Sequence, residues 1–296
     1  MRNRFHQNTF DTFNSKRVSY IIATKNRAEF LNKTLKMVKR LKKNNDELIV
    51  IDGLSSDSTG EVIKSYKNII DKYISEPDIS PTHAANKGIL LASGKYIKTM
   101  SDDDIYYSRA MEKAIEVMEN NDDIDILECG GIQYSTSLKR FRTLYIKPGA
   151  NFGKSTNDIF NYGSNGAGYI LRRSSLAKIG IFPLDIVGDL TFILNSIKNN
   201  ANVKFCRIKL YKQMVHKTNM STHPEISKNL YRVVKQFAPK RYYLLYACIY
   251  HIRKNSVLKI LFYPLIFFHN LYQKSLFVLP KSKAKNKNFI WDGGFS

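Results

Sequence analysis

Short apolar segments alternate with amphipathic segments through the first hundred residues, and this alternation constrains the fold more than any other feature of the chain. The predicted strands are residues 18–24, 48–52, 72–75 and 96–100. The predicted helices are residues 28–43, a segment that opens at Ser58, and residues 81–92. Strands that alternate with amphipathic helices predict an α/β fold, in which a doubly wound, mostly parallel sheet carries helices on both faces.

Three consecutive aspartates, Asp102, Asp103 and Asp104, follow the fourth predicted strand. Carboxylates crowded at a strand end repel one another unless a cation or several donors gather there. Their oxygens suit Mg2+ or Mn2+, and those ions suit a diphosphate. A solvated acidic turn is the alternative for an isolated triplet. Here residues 24–27 and Asp52 follow other strand ends, so we expect all of these residues to meet in one crevice.

The second half of the chain continues the pattern less regularly. A helix is predicted over residues 107–121, and a glycine-rich loop over residues 163–168. The predicted strands are residues 125–134, 144–147 and 169–173. Gly188 and Asp189 open a further helix, which is rich in apolar residues and is therefore expected to be well buried.

In this order the segments resemble the family 2 glycosyltransferases, enzymes of the GT-A fold that move a sugar from a nucleotide diphosphate donor to an acceptor hydroxyl. The resemblance covers about residues 18–221, and its motifs are VSYIIATKNR, LIVIDGLSSDST and SEPDISPTHAANKGILLASGKYIKTMSDDDIY. The chain departs from the family at Ala23, where proline is usual, and at His83, where many relatives of this branch have aspartate. The role of His83 is therefore left open.

The resemblance implies a set of residues that bind the nucleotide. They are Thr24, Asn26, Arg27, Asp52, Asn86, Lys87 and Asp102. A carboxylate accepts a hydrogen bond from an imide N–H, so Asp52 is expected to contact uracil or thymine of a UDP- or dTDP-linked sugar; a helix or turn cap is its alternative role. Asn86 and Lys87 are expected to face the diphosphate, and Asp102 the ribose or a metal-bound water.

The resemblance also implies a Mn2+ or Mg2+ cofactor. Asp103 lines up with the principal metal ligand of the family, and Asp104 and His216 are further candidates for the metal shell. The register of the acidic motif is left open by one residue. His216 begins a His-x-x-Asn-x-Ser element found in many relatives, although a lone histidine in a basic loop is also typical of a solvated side chain.

Asp189 aligns with the catalytic carboxylate of the family and is the predicted general base of an inverting transfer. A helix N-cap is the structural alternative, and the two roles can coexist. The resemblance places the pair Arg172 and Arg173 on the acceptor side. Phosphate binding and pairing with surface acids are both left open for these arginines.

Composition divides the chain into three parts. Residues 1–17 are a polar tail without the apolar stretch of a signal peptide, residues 18–224 form the catalytic domain, and residues 225–296 form a basic, aromatic-rich helical appendage. Within the catalytic domain, residues 18–104 are the nucleotide-binding half and residues 105–224 the acceptor half. Three widely spaced cysteines imply no disulfide framework, which favours a reducing compartment and a cytoplasmic location.

The appendage carries 13 Lys or Arg and 2 acids, so its net charge is +11 of the chain's +22. Its apolar run over residues 260–268 is interrupted by Pro264 and is short for a spanning helix. Helices that lie on an anionic membrane suit this composition, and they predict a peripheral protein on the inner face of the cell membrane. Packing on the catalytic domain or a homo-oligomer interface is the alternative.

Three classes of function are compatible with these observations. The first is a metal-dependent glycosyltransferase, acting on a glycan or a lipid-linked glycan in surface polysaccharide synthesis. The second is a nucleotidyltransferase acting on sugar phosphates, for which a glycine-rich phosphate loop after the first strand is expected and ATKNRAEF has no glycine. The third is a basic nucleic-acid-binding protein, which the dispersed cations and the acidic triplet disfavour.

Overall fold

The computed structural model describes residues 16–136, 139–144, 154–216, 219, 225–240, 242–244 and 246–248. The strands are β1 (Val18–Thr24), β2 (Glu47–Asp52), β3 (Lys72–Ser75), β4 (Tyr96–Met100), β5 (Ile105–Tyr106), β6 (Ile126–Ser135), β7 (Arg140–Leu144), β8 (Tyr169–Arg172) and β9 (Val203–Val215). The helices are α1 (Ala28–Leu41), α2 (Thr59–Ser65), α3 (Pro81–Leu91), α4 (Ser108–Glu119), α5 (Thr156–Tyr162), α6 (Leu176–Ile179), α7 (Gly188–Lys198) and α8 (Ile226–Phe237).

The strands described form a single nine-stranded sheet in the order β3-β2-β1-β4-β8-β6-β9-β5, with β7 paired to β6. The strands β1, β2, β3 and β4 are mutually parallel, and β6 and β9 are parallel to each other. Strand β8 runs antiparallel between β4 and β6. The predicted mostly parallel α/β sheet is confirmed, and its strand order reverses beside β1, so that the carboxyl ends of β1 and β4 border a crevice.

Helices cover both faces of the sheet because successive side chains of a strand point to opposite sides. On β1, Tyr20 and Ile22 pack with the apolar faces of α1 and α4. Ile21 packs on the other face, with residues of α3, α7 and α8. Helix α3 approaches the sheet closely at Gly88, where a Cβ atom would lie 2.3 Å from Cγ2 of Ile21. The glycine of this helix is therefore required by packing.

Helix α8, the first helix of the basic appendage, packs against the catalytic domain. Val233, Val234 and Phe237 are buried, and Lys198 of α7 lies over the ring of Phe237 at 4.3 Å. The apolar face of α8 therefore contributes to the core, which is the packing alternative that the sequence analysis left open for the appendage. No helix in the described parts of the chain is long and apolar enough to cross a bilayer. Residues 1–15 of the polar tail and residues 249–296, with the apolar run, lie outside the described residues.

Two strands of the second half can be compared with the sequence predictions. Strand β7 spans Arg140–Leu144 and so ends at the residue where the strand predicted over residues 144–147 begins, and residues 145–147 lie outside the described residues. In β6, which corresponds to the strand predicted over residues 125–134, the register with β9 shifts between Cys129 and Gly130 and again before Gly131, at a pair of glycines.

Candidate active site

A cleft of about 760 Å³ lies at the carboxyl ends of β1 and β4. Its walls include Thr24 to Arg27 from the end of β1, the acidic triplet after β4, and Asp189 from the start of α7. The acidic triplet and Asp189, the predicted general base, therefore share one cavity. The expected crevice thus contains residues 24–27 and the acidic triplet, whereas Asp52 does not line it.

Asp102 is buried at the foot of this cleft and is held by two residues of the first loop. Its carboxylate accepts a hydrogen bond from Thr24 Oγ1 at 2.8 Å and pairs with Arg27 Nε at 2.9 Å. Burial raises the pKa of Asp102 to about 6, against the opposing effect of the Arg27 charge. Thr34 of α1 also donates to the Asp102 carbonyl at 2.7 Å, so both the backbone and the side chain of Asp102 are fixed.

Asp103 is the point where several elements converge. Its carboxylate accepts from Arg27 and from Ser101 Oγ, and it lies 3.0 Å from His216 Nε2 at the end of β9. Phe30 of α1 packs against two of these partners: its ring stacks on that of His216 with 5.1 Å between centroids, and the Arg27 guanidinium lies 4.6 Å from the Phe30 centroid. The structure thus brings the predicted pair of Asp103 and His216 together across more than a hundred residues of sequence.

Asp104 faces inward and accepts a hydrogen bond from the backbone N–H of Met214 at 3.0 Å. Burial, reinforced by the neighbouring charge of Asp103, raises the pKa of Asp104 to about 7. A carboxyl group in this position gains from any cation placed beside Asp103. Asp104 therefore connects the acidic triplet to β9.

The Asp103 carboxylate suits Mn2+ or Mg2+, which prefer oxygen ligands, and His216 Nε2, 3.0 Å from that carboxylate, is a second potential donor atom. Within the described residues, no group of three or more His, Cys, Asp or Glu side chains forms a metal cage. An ion of this type needs fewer protein ligands, since Mg2+ is commonly held by one or two carboxylates and completed by substrate phosphates and water. The Arg27 guanidinium supplies the balancing positive charge in the structure.

Asp189 lies in the first turn of α7, where Val187 is the N-cap residue. The N-cap alternative for Asp189 therefore does not hold. Its carboxylate accepts from the N–H groups of Leu190 at 2.8 Å and Gly166 at 3.3 Å. The side chain remains accessible from the cleft, while the protein crowded around it raises the pKa of Asp189 above its usual value. A carboxylate with these properties is suited to accept a proton.

The loop that carries Gly166 is fixed by two buried charged residues that sequence reasoning missed. Glu128 of β6 accepts from Ser164 Oγ at 2.8 Å and from the Asn165 N–H at 2.9 Å. Lys98 of β4 donates to the carbonyl of Ala167 at 2.6 Å and to that of Tyr169 at 3.0 Å. The available signal was a single charged residue inside each of two otherwise apolar strands.

Lys98 and Glu128 are both strongly desolvated. Burial lowers the pKa of Lys98 to about 7 and raises the pKa of Glu128 to about 8. Each is satisfied mainly by groups of the loop, so the loop and the two strands hold one another in place. The position of the Gly166 N–H against Asp189 therefore depends on both.

Asn26 and Asp52 shape the turns around the cleft. Asn26 has a left-handed backbone with φ of 52°, and its side-chain oxygen accepts from the Ser56 N–H at 2.8 Å. Asp52 is buried and accepts from the N–H and hydroxyl of Ser55 and from Ser75 Oγ at 2.7 Å. The turn-cap role of Asp52 is thus present in the structure, and its contact with a base stays a prediction.

Asn86 and Lys87 of α3 have structural partners in place of the predicted diphosphate. The Asn86 side chain donates to the Phe182 carbonyl at 2.7 Å and accepts from the Phe182 N–H at 2.9 Å. Lys87 Nζ pairs with Glu76 and Asp78, each at 2.9 Å. These contacts connect α3 to the segments beside it, and they do not support a direct diphosphate contact for either residue. His83 lies next to the same segment, 3.7 Å from Asp78.

Arg172 and Arg173 are placed away from the cleft, and Arg172 Nη1 lies 3.6 Å from the surface acid Asp122, which is the pairing alternative left open for these arginines. Arg172 pairs in register with Tyr96, the first residue of β4, whereas the acids follow the last. The Arg172 guanidinium donates to the carbonyls of Met118, Asn121 and Ile124 at 2.8 to 2.9 Å. Arg173 donates to the Gly94 carbonyl. Because β8 is antiparallel to β4, residues after β8 reach the opposite edge of the sheet.

Comparison with known proteins agrees with this geometry. The family model described as "Glycosyl transferase family 2" matches residues 19–180, more than half of the chain. The chain belongs to this family, which confirms the resemblance.

Curated relatives are named glycosyltransferases. An uncharacterized glycosyltransferase of Methanocaldococcus jannaschii is 32% identical over 115 residues, which are 37% of this chain and 40% of the relative. The poly-beta-1,6-N-acetyl-D-glucosamine synthase of Staphylococcus epidermidis is 31% identical over 106 residues, 35% of this chain and 26% of the relative. The chain therefore spans less than half the length of either relative.

Solved structures share the fold. S. aureus TarS 1-349 in complex with UDP-GlcNAc has a TM-score of 0.59 and 17% identity, covering 74% of this chain and 65% of that one. Mannosyltransferase PcManGT from Pyrobaculum calidifontis, in complex with GDP-Man and Mn2+, has a TM-score of 0.54 and 14% identity. The match covers 88% of this chain and 69% of that one. The GT-A fold predicted from the sequence is thus confirmed.

Proposed function

We propose that the protein is a metal-dependent, inverting glycosyltransferase that uses a UDP- or dTDP-linked sugar. The observation that carries the proposal is the single cleft that holds the acidic triplet and Asp189. We expect the donor diphosphate to lie at Asp103 and His216. The nucleotide would lie beside Thr24, Asn26 and Arg27. Family membership favours this function over a nucleotidyltransferase or a nucleic-acid-binding protein.

Different residues of the chain serve in proton transfer and at the diphosphate. Asp189 takes the proton from the acceptor hydroxyl as its oxygen attacks the anomeric carbon opposite the departing diphosphate, which inverts the configuration at that carbon. The Gly166 N–H keeps the Asp189 carboxylate oriented. Asp103 and His216 would hold a Mn2+ or Mg2+ ion, and such an ion would supply positive charge to neutralise the diphosphate.

The acceptor is proposed to be a glycan or a lipid-linked glycan of a surface polysaccharide. Two observations support this: a relative is named as a polysaccharide synthase, and the appendage is strongly basic. Peripheral binding to anionic membranes is proposed with it. Sedimentation with anionic liposomes at physiological salt tests that part, and a chain that stays in the supernatant argues against it.

Calorimetric titration with UDP, with and without MnCl2, tests the metal and donor site. We expect Mn2+ to strengthen UDP binding in the wild type, and EDTA or Asp103→Ala to abolish that increase. UDP binding that is indifferent to EDTA would argue against the ion.

Turnover tests the base separately from the donor site. Metal-dependent hydrolysis of a panel of nucleotide sugars should fall by about 10² to 10⁴ in Asp189→Asn, while UDP binding is retained. Asp185→Asn is the matched control, because Asp185 lies just before the same helix and its carboxylate accepts from the Val187 N–H and from Thr191. Equal hydrolysis by wild type and Asp189→Asn would reject the assignment of Asp189.

A further inference from the structure

Gln213 of β9 lines the cleft that contains Asp189. The ammonium group of Lys212, one residue earlier, lies over the rings of Tyr134 and Phe141 at 4.6 and 5.2 Å. Because successive side chains of a strand point to opposite faces, Lys212 and these rings lie on the face of the sheet away from the Gln213 amide. The proton transfer and the ion site described above do not use the Gln213 side chain.

The orientation of the Gln213 amide follows from a backbone donor. The Ala167 N–H donates to Asn165 Oδ1 at 2.9 Å, so the other end of the Asn165 amide is the donor group Nδ2. Asn165 Nδ2 donates to Gln213 Oε1 at 3.5 Å, and Gln133 Nε2 on the neighbouring strand donates to the same atom at 3.3 Å. These two donors therefore hold the Gln213 oxygen toward the protein.

The Gln213 Nε2 group is the other end of this amide. Among the residues that the structure describes, none accepts a hydrogen bond from it. A primary amide carries two N–H donors, and donors that line a cleft without a protein acceptor are available to the oxygens of a ligand. Gln213 therefore presents hydrogen-bond donors to the ligand in this part of the cleft.

Gln213 lies between the acidic triplet and Asp189. The N–H of the next residue in β9 donates to Asp104 at 3.0 Å. Asn165, which donates to Gln213, precedes the glycine whose N–H donates to Asp189. Attack opposite a departing diphosphate requires the transferred sugar to lie between that diphosphate and the base. The Gln213 amide is therefore beside the position that the proposed reaction gives to this sugar.

The cations of the cleft lie away from this position. Among the described residues that line the cleft, the cations are Lys25 and Arg27. Arg27 pairs with the acidic triplet, and Lys25 lies beside Gly53, which follows β2. A carboxylate on the sugar would lie near Asp189 without a protein cation to compensate it. Hydroxyl and amide-carbonyl oxygens are neutral acceptors and suit the Gln213 donors.

We propose that the Gln213 side-chain N–H group donates a hydrogen bond to an oxygen of the transferred sugar, and that this sugar is neutral, a hexose or an N-acetylhexosamine. The inference rests on the proposed glycosyl transfer, and it adds a residue that contacts the sugar and the chemical class of that sugar. Gln133 and Asn165 are positioning residues for this contact, because they hold the Gln213 oxygen.

Affinities of the full chain for a panel of donors test the charge of the sugar. The panel is UDP-glucose, UDP-galactose, UDP-N-acetylglucosamine and UDP-glucuronic acid, each measured by titration calorimetry with MnCl2. We expect the best neutral donor to bind at least about fivefold more tightly than UDP-glucuronic acid. A smaller preference would overturn the assignment of a neutral sugar. If the chain prefers dTDP to UDP, dTDP-glucose and dTDP-glucuronic acid provide the same comparison.

Gln213→Leu removes the amide and keeps a side chain of similar size. The measured quantity is a ratio, the affinity for the best neutral donor divided by the affinity for the free nucleoside diphosphate, both with MnCl2. The variant should lower this ratio at least about fivefold and leave the affinity for the free diphosphate unchanged, because that compound lacks the sugar. Lys212→Leu is the matched control on the opposite face of β9, and its ratio should equal that of the wild type. An unchanged ratio in Gln213→Leu would overturn the contact.

Gln213→Glu separates contact with the sugar from support of Asn165. A carboxylate still accepts from Asn165 and Gln133, but it donates no hydrogen bond. A direct contact therefore predicts that the ratio falls in Gln213→Glu as it does in Gln213→Leu. A ratio that falls in Gln213→Leu and is retained in Gln213→Glu would show that the residue only orients the loop, and it would overturn the proposal.

Failure of this inference is distinguishable from failure of the proposed function. A wild type that binds neither UDP nor dTDP in the presence of MnCl2 would refute the proposed function. A wild type that binds one of them, together with variants of Gln213 whose ratio equals that of the wild type, would refute the Gln213 contact alone.

Discussion

Glu128→Gln should make the stability of the fold less sensitive to pH. Glu128 is 1% exposed in β6, and burial raises its pKa from 4.5 to about 8, with a contribution from the Asp189 charge. The folded protein therefore binds this proton more tightly than the unfolded chain does. The associated stabilisation is complete below pH 4.5 and is lost progressively as the pH rises through 8.

The size of the effect follows from these values. One pKa unit corresponds to about 1.4 kcal/mol, so between pH 5 and about 7.5 the linkage relation gives a loss of about 3 kcal/mol from the unfolding free energy of the wild type. Glutamine does not titrate. Its side-chain oxygen still accepts from the Asn165 N–H and its amide N–H donates to Ser164, which reproduces the hydrogen bonds of a protonated Glu128.

The assay is urea unfolding followed by circular dichroism at pH 5 and pH 7.5. The difference in unfolding free energy between Glu128→Gln and the wild type should grow by about 3 kcal/mol toward the higher pH. Glu61→Gln is the control for the loss of one carboxyl group, because Glu61 is exposed on α2. A Glu128→Gln difference that is constant within about 0.5 kcal/mol would refute the reasoning.

Two further substitutions test the structural assignments. Arg172→Leu should lower the unfolding free energy by about 3 kcal/mol in urea titrations, because it leaves two buried carbonyls and one partly buried carbonyl without their donor. Arg173→Leu should cost less than about 1 kcal/mol, and equal costs would contradict the structural role of Arg172. Gly166→Ala should reduce donor hydrolysis at least about tenfold with UDP binding retained, because the new Cβ would lie 2.9 Å from Cβ of Asp189; unchanged hydrolysis would show that the loop does not position Asp189.

The first half of the fold was predictable because local signals and tertiary structure agree there. The strand predicted over residues 18–24 is β1, and that over residues 72–75 is β3, with identical bounds. The helix start at Ser80 and Pro81 is also confirmed, since Ser80 Oγ accepts from the His83 N–H. Buried parallel strands consist of runs of apolar residues, and helix caps depend on residues next to each other in the chain. Both features can therefore be recognised from the sequence.

The direction of a strand is not local information, which explains why the position of Arg172 and Arg173 relative to the cleft was not predictable. The rule that strand ends meet in one crevice holds for parallel strands. Strand β8 is inserted antiparallel between β4 and β6, so the residues after it lie at the other edge of the sheet. Nothing in the segment around Tyr169 specifies that reversal.

The support of Asp189 was equally inaccessible to sequence reasoning. Lys98 and Glu128 bind a loop that is 69 and 36 residues distant along the chain, and each stands alone in an apolar strand. A single buried charge predicts that a partner exists, but it does not indicate where. The residues of the acidic triplet were easier to identify because their crowding is visible in three consecutive positions.

The position of His216, the candidate metal ligand, depends on the number of residues in the long strand β9. After the irregularity at Gly130 and Gly131, β9 stays paired with β6 up to Val215, and His216 follows at once. Deleting one residue between Tyr211 and Val215 would turn the later side chains to the opposite face of the sheet and withdraw the imidazole from Asp103. Insertions and deletions within this strand are therefore expected to be as damaging to the site as direct replacement of the histidine.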